Sequence, residues 1–148
     1  MSFEEDLAAA EIEPAPFTDV TLLIAGKTYV FRFRQMDGQE WASLTDQHPA
    51  RPGVLIDQRY GYNLRTLTVA AVARSGVRLD GETEVELRVD PFVQGSKEPR
   101  VNEWAQVLKA VGGYGFQRVT DAIWGLNERL PELAIEAAKK ALASSAND

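Results

Sequence analysis

Gly26-Lys27-Thr28, the Ser43 to His48 segment and Gly112-Gly113-Tyr114-Gly115-Phe116 carry the residue types that chemistry most often uses. A Gly-Lys-Thr triplet ends a phosphate-binding loop when a glycine stands five residues earlier and a helix follows, so that backbone N–H groups and a helix N-terminus converge on the phosphates. Here that earlier position is Thr21, and the triplet runs into Tyr29-Val30-Phe31-Arg32-Phe33-Arg34, a β-branched and aromatic run suited to a strand. Gly26-Lys27 therefore reads as the centre of a β-hairpin, with glycine supplying the positive φ of a primed turn. Ser43 and His48, with Asp46 or Asp57 as a third member, are the residue types of a nucleophile, a base and an orienting acid. No nucleophile-elbow motif surrounds Ser43, however, and His48 before Pro49 reads as an exposed helix end. The glycines of residues 112–115 follow a helix rather than a strand, which suits a helix-to-helix turn better than a phosphate cradle. The carboxylates are scattered, with neither a catalytic pairing nor EF-hand spacing, and read as solvated surface.

With 148 residues, 45% of them hydrophobic, the chain suits one domain with its own core. The absence of cysteine excludes disulfides, thiolate catalysis and Cys-based zinc sites, and the single histidine excludes a multi-His metal site. A formal charge of −6 opposes non-specific nucleic-acid binding and favours a protein partner. No apolar run approaches the roughly 20 residues that span a bilayer, and MSFEEDLAAAEIE is acidic where a signal peptide would be basic. The expectation is a soluble intracellular protein with no membrane or nucleic-acid partner, no cofactor, no metal and no catalytic residues.

The elements predicted along the chain give an α+β fold: two β-hairpins and a mainly helical C-terminal half in a single domain over residues 19–143. Residues 1–18, acidic and ended by Pro14 and Pro16, read as a flexible arm, and residues 144–148 as a flexible tail. Val20, Leu22 and Ile24 alternate on the first strand and Tyr29, Phe31 and Phe33 on the second. Asp37 with Glu40 opens a helix through Trp41 and Leu44, and Asn63 caps another over residues 64–74, ended by Ser75-Gly76. The second hairpin turns at Asp80-Gly81, its outgoing strand carrying Val85, Leu87 and Val89. Asn102-Glu103 opens a helix through Trp104, Leu108 and Val111 that Gly112-Gly113 closes. A further helix covers about Phe116 to Arg129, and Pro131 begins a last one through Leu142. Trp41, Trp104 and Trp124 all fall in helices, where such rings most often anchor a core.

Three segments together resemble the tail assembly chaperones of long-tailed bacteriophages, particularly those of actinobacteria. They are Asp57-Gln58-Arg59-Tyr60-Gly61-Tyr62-Asn63 before an Ala-rich helix, Glu103-Trp104 opening a helix that ends in glycines, and Asp121-Ala122-Ile123-Trp124-Gly125-Leu126-Asn127-Glu128. The resemblance covers roughly residues 20–133. It implies a non-enzymatic protein of the host cytoplasm, absent from the finished virion, that coats the tape-measure protein, keeps it soluble and recruits major tail protein. Self-association along a long helical client would suit that role. The family is often made as a short and a frameshift-extended form, of which this chain would be the short one. Ala138-Lys139-Lys140 would carry a slippery heptamer if encoded GCA-AAA-AAG. The alternative is a structural tail or head–tail joining protein that stays in the particle. Tyr60, Tyr62 and Trp124, aromatics at a glycine turn and on a helix, are the candidate partner-contact residues, with packing into the domain's own core as the alternative.

Overall fold

Alternation in two neighbouring segments builds the first hairpin of this computed structural model, which describes residues 2–146. Strands β1 (Phe17–Ile24) and β2 (Lys27–Arg34) pair antiparallel with Val20 opposite Phe31 and Leu22 opposite Tyr29. Val20, Leu22, Phe31 and Phe33 point inward and are buried. The turn is centred on Ala25-Gly26, both at positive φ (52° and 76°), one residue earlier than the expected Gly26-Lys27. Moving the turn by one residue shifts the pairing by two, which keeps the same side chains on the same face. Alternation alone therefore could not choose between the two. On the outer face Asp19 sits opposite Arg32 and accepts from its Nε at 2.8 Å, while the guanidinium lies 3.8 Å from the centre of the Phe17 ring.

Strands β3 (Gly76–Asp80) and β4 (Thr83–Val85) complete an antiparallel sheet in the order β1-β2-β3-β4. Asp80 pairs with Thr83 around Gly81, at φ 62°, as the Asp-Gly signal predicts. The outgoing strand is shorter than its alternation suggests: β4 stops at Val85, and Val89 makes only an isolated bridge to Asn102. The intervening loop is tied at its base by Asp90. Its carboxylate accepts from Arg88 Nε (2.8 Å) and the Val101 N–H (2.9 Å), and its own N–H donates to the Val101 carbonyl (2.8 Å).

Helices cover the inner face of the sheet. Capping side chains start three of them as expected. Asp37 accepts from the Glu40 N–H at α2 (Gly38–Asp46), Asn63 from Thr66 at α4 (Leu64–Ser75), and Asn102 from Ala105 at α5 (Glu103–Ala110). The short α3 (Leu55–Tyr60) ends on Gly61 in the left-handed conformation. From α4 come Leu64, Leu67, Ala71 and Val72, from α5 Trp104, and from α6 (Gly112–Trp124) Val119, Ala122 and Ile123, all buried in one core cluster with Val20, Leu22, Phe31 and Phe33 of β1 and β2. The α+β class, with two hairpins and a helical C-terminal half, stands as read from the sequence.

The terminal segments differ from expectation. The acidic arm contains a helix, α1 (Phe3–Ile12), started by a reciprocal cap in which Ser2 Oγ accepts from the Glu5 N–H and Glu5 accepts from the Ser2 N–H, both at 3.2 Å. No side chain of α1 is buried, and Pro14 and Pro16 follow it. Helix α6 begins at Gly112, at φ 72°, rather than at Phe116, so the glycine run forms its first turn. The chain then does not break at Pro131. A π turn (Gly125–Arg129), whose Leu130 N–H reaches back to the Gly125 carbonyl, joins α6 directly to α7 (Leu130–Ala146). Residues 144–146 of the expected tail belong to α7, and residues 147 and 148 lie outside the described residues.

Candidate functional site

The loop between α2 and α4 is organised by one carboxylate. Asp57 is fully buried and accepts from Arg51 three times: from the backbone N–H (3.0 Å), Nε (2.8 Å) and an Nη (3.1 Å). Hydrogen bonding from the Arg51 side chain, reinforced by its backbone N–H and that of Leu64, outweighs the effect of burial and holds the Asp57 pKa down at about 2. This arrangement fixes α3, and with it Tyr60 and Tyr62.

The three candidate contact residues do come together. Tyr60 lies 5.6 Å from Trp124, edge to face, and 6.2 Å from Tyr62, which in turn meets the edge of Trp41 at 5.9 Å. Their roles divide. Tyr62 is 4% exposed and its hydroxyl donates to Glu128 at 2.6 Å, so its ring is core and not contact surface. Burial, and then the Glu128 carboxylate, push the Tyr62 phenol well above its usual pKa. Tyr60 and Trp124 are half-buried, and of the three only they keep appreciable solvent-accessible surface. Trp41 shares that position but was not singled out, because nothing in its spacing distinguishes it from a core anchor.

The residues considered for catalysis are engaged elsewhere. Ser43 Oγ accepts from Gln47 (3.3 Å), His48 Nδ1 meets Thr66 Oγ1 (2.9 Å), and Asp57 is bound to Arg51. Gly26-Lys27-Thr28 sits at the hairpin and leads into β2. Among the described residues there is no cluster of His, Cys, Asp or Glu that could hold a metal ion, and no helix long and apolar enough to cross a membrane.

What sequence reading missed is a cleft of about 570 Å³ between α3 and α4 on one side and α5 and α6 on the other. Ile56, Leu64, Leu108 and Phe116 supply its apolar surface, and Arg51, Arg65 and Lys109 its charges. Exposed apolar side chains also collect on α7, whose Leu130, Leu133, Ile135 and Leu142 are uncovered, and at the loop tip Phe92-Val93. At 100° per residue Leu130 and Leu133 lie on one side of α7 and Ile135 and Leu142 on the other, so its apolar residues make no single face.

The Asp57 pair sets a pH dependence. Its folded pKa lies below the usual 3.8, so its contribution to stability is complete above about pH 4 and is lost as the pH falls towards 2. Asp57→Asn is expected to melt several degrees below the parent at pH 6, with the gap closing between pH 4 and pH 2. A gap that stays constant over that range would remove the ion pair as its cause.

No family model matches the chain, and the searches of curated proteins and of solved structures likewise return no match.

Proposed function

We propose that this protein is a phage tail assembly chaperone, which binds the tape-measure protein, keeps it soluble and promotes assembly of the tail tube. The observation that carries a binding role is α7, a helix of 17 residues with no buried side chain and with Leu130, Leu133, Ile135 and Leu142 exposed. Ile135 and Leu142, seven residues apart, share one side of this helix, and exposed apolar side chains so placed suit packing against apolar helices of another chain. The half-exposed Tyr60 and Trp124 add rigid aromatic area near the π turn that leads into α7. The identity of the client rests on the resemblance of residues 57–63, 103–104 and 121–128 to the chaperone family. In this reading the protein has no catalytic role, works in the host cytoplasm and leaves before the particle is complete.

Co-expression with the tape-measure protein of the same genome tests this. The tape measure is expected to move from the insoluble to the soluble fraction and to co-purify, with at least a several-fold loss of that effect in an Ile135→Glu, Leu142→Glu double variant. A tape measure that stays insoluble, together with this chain in purified virions, would replace the chaperone with a structural tail protein.

A further inference from the structure

Helix α1 and the cleft between α4 and α5/α6 each combine apolar surface with charge, and their charges are opposite in sign. At 100° per residue, Phe3, Leu7 and Ala10 of α1 form one apolar stripe, with Asp6 on one side of it and Glu4 and Glu11 on the other. Among the described residues that stripe is largely uncovered: Phe3 is 71% exposed and Leu7 52%. The cleft presents the inverse pattern. Its apolar surface comes from Ile56, Leu64, Leu108 and Phe116, and its lining includes Arg65 and Lys109 but no carboxylate. Among the described residues neither Arg65 nor Lys109 has an ion-pair partner, whereas Arg51 at the same cleft is neutralised by Asp57. Two acids bond to lining residues: Asp57 to Arg51 and Asp121 to Gln117, both at 2.8 Å.

We infer that α1 of one copy docks in the cleft of a second copy, with its apolar stripe on Leu64, Leu108 and Phe116 and its acidic flanks against Arg65 and Lys109. Such a contact joins two different surfaces, so two copies either exchange α1 reciprocally and close as a dimer, or leave a free helix and a free cleft that propagate into larger rings or open chains. The inference stands on the geometry of α1 and the cleft and does not depend on the chaperone reading.

Sedimentation of the full chain tests it, from about 10 µM to about 500 µM protein. The mean mass is expected to rise with concentration above that of the monomer, and less so as salt goes from about 50 to about 500 mM. Leu7→Glu removes the donor helix and Arg65→Glu with Lys109→Glu removes the acceptor cleft; circular dichroism checks that each keeps its fold. Each variant alone is expected to be monomeric. Mixed in equal amounts they are expected to form a one-to-one dimer and nothing larger, because one intact helix and one intact cleft remain. A parent that is monomeric throughout, a cleft variant that still associates, or a mixture that stays monomeric would each overturn the proposal.

Discussion

Trp104→Ala is expected to lower the stability of the fold by roughly 3–5 kcal/mol, the range for deleting a large aromatic side chain from a packed core. The indole is 3% exposed and is the main contribution of α5 to the core. Its ring packs 5.5 Å from Phe31 and 5.7 Å from Phe33, tilted against both, so one side chain joins α5 to the centre of β2. Domains of this size have only about 5–15 kcal/mol in total, so much of the margin would go. Urea unfolding followed by circular dichroism gives the number, and a loss below about 1 kcal/mol would mean that the neighbours collapse into the space. The same contact makes a second demand. Gly76, where α4 hands over to β3, has no room for a methyl group: a Cβ there would lie 2.7 Å from Trp104 Cζ2, 2.8 Å from Phe33 Cε1 and 2.8 Å from the Val72 carbonyl oxygen. Gly76→Ala should therefore cost about 1–3 kcal/mol by overpacking. In the Trp104→Ala background that cost should shrink without vanishing, because Phe33 and the Val72 carbonyl remain.

Gly76 also shows where sequence reading stops. It was read as the residue that ends α4, which it does, but its packing against Trp104 joins positions far apart in the chain and leaves no periodic trace. Local signals performed well where a side chain acts on its own backbone. Asp37, Asn63 and Asn102 cap the helices they were assigned to, and Asp80-Gly81 turns its hairpin. They failed where tertiary contacts choose between local options. Gly112 and Gly113 are poor helix formers, yet they open α6, and a Cβ at Gly115 would stand 2.6 Å from the Cβ of Val111, so the turn out of α5 leaves no room for a side chain there. At the candidate site, the meeting of Tyr60 with Trp124 was anticipated only as a list of aromatics. The burial of Tyr62 and the cleft lined by Arg65 and Lys109 had no signal, since each is made by elements distant in sequence.

Asn127→Ala is expected to destabilise the protein by roughly 2–3 kcal/mol, while Pro131→Ala changes stability by about 1 kcal/mol or less. Both residues bear on the π turn, but they do different things there. A proline inside a helix removes an N–H and crowds the carbonyl four residues before it, which would ordinarily break the helix. The wider π turn relieves that crowding, and it leaves the Leu126 carbonyl without a donor, because Leu130 bonds to Gly125 and Pro131 has no N–H. Gln35 fills the vacancy with its side-chain amide at 2.7 Å. Next to it, Asn127 Oδ1 accepts from the Met36 N–H and its Nδ2 donates to the Ile123 carbonyl, both at 2.9 Å. The segment between β2 and α2 is thus held to the start of α7 by bonds that no hydrophobic pattern could announce. Replacing Asn127 strands the Met36 N–H in a partly buried position, whereas an alanine at 131 restores a donor and removes a restriction on the unfolded chain. Thermal or urea unfolding of the two variants separates the roles. If Pro131→Ala proves the more damaging change, the proline itself specifies the turn, and the contacts of Asn127 follow from it. The expected order makes Asn127 the determinant and explains how α6 runs into α7 with Pro131 in its path.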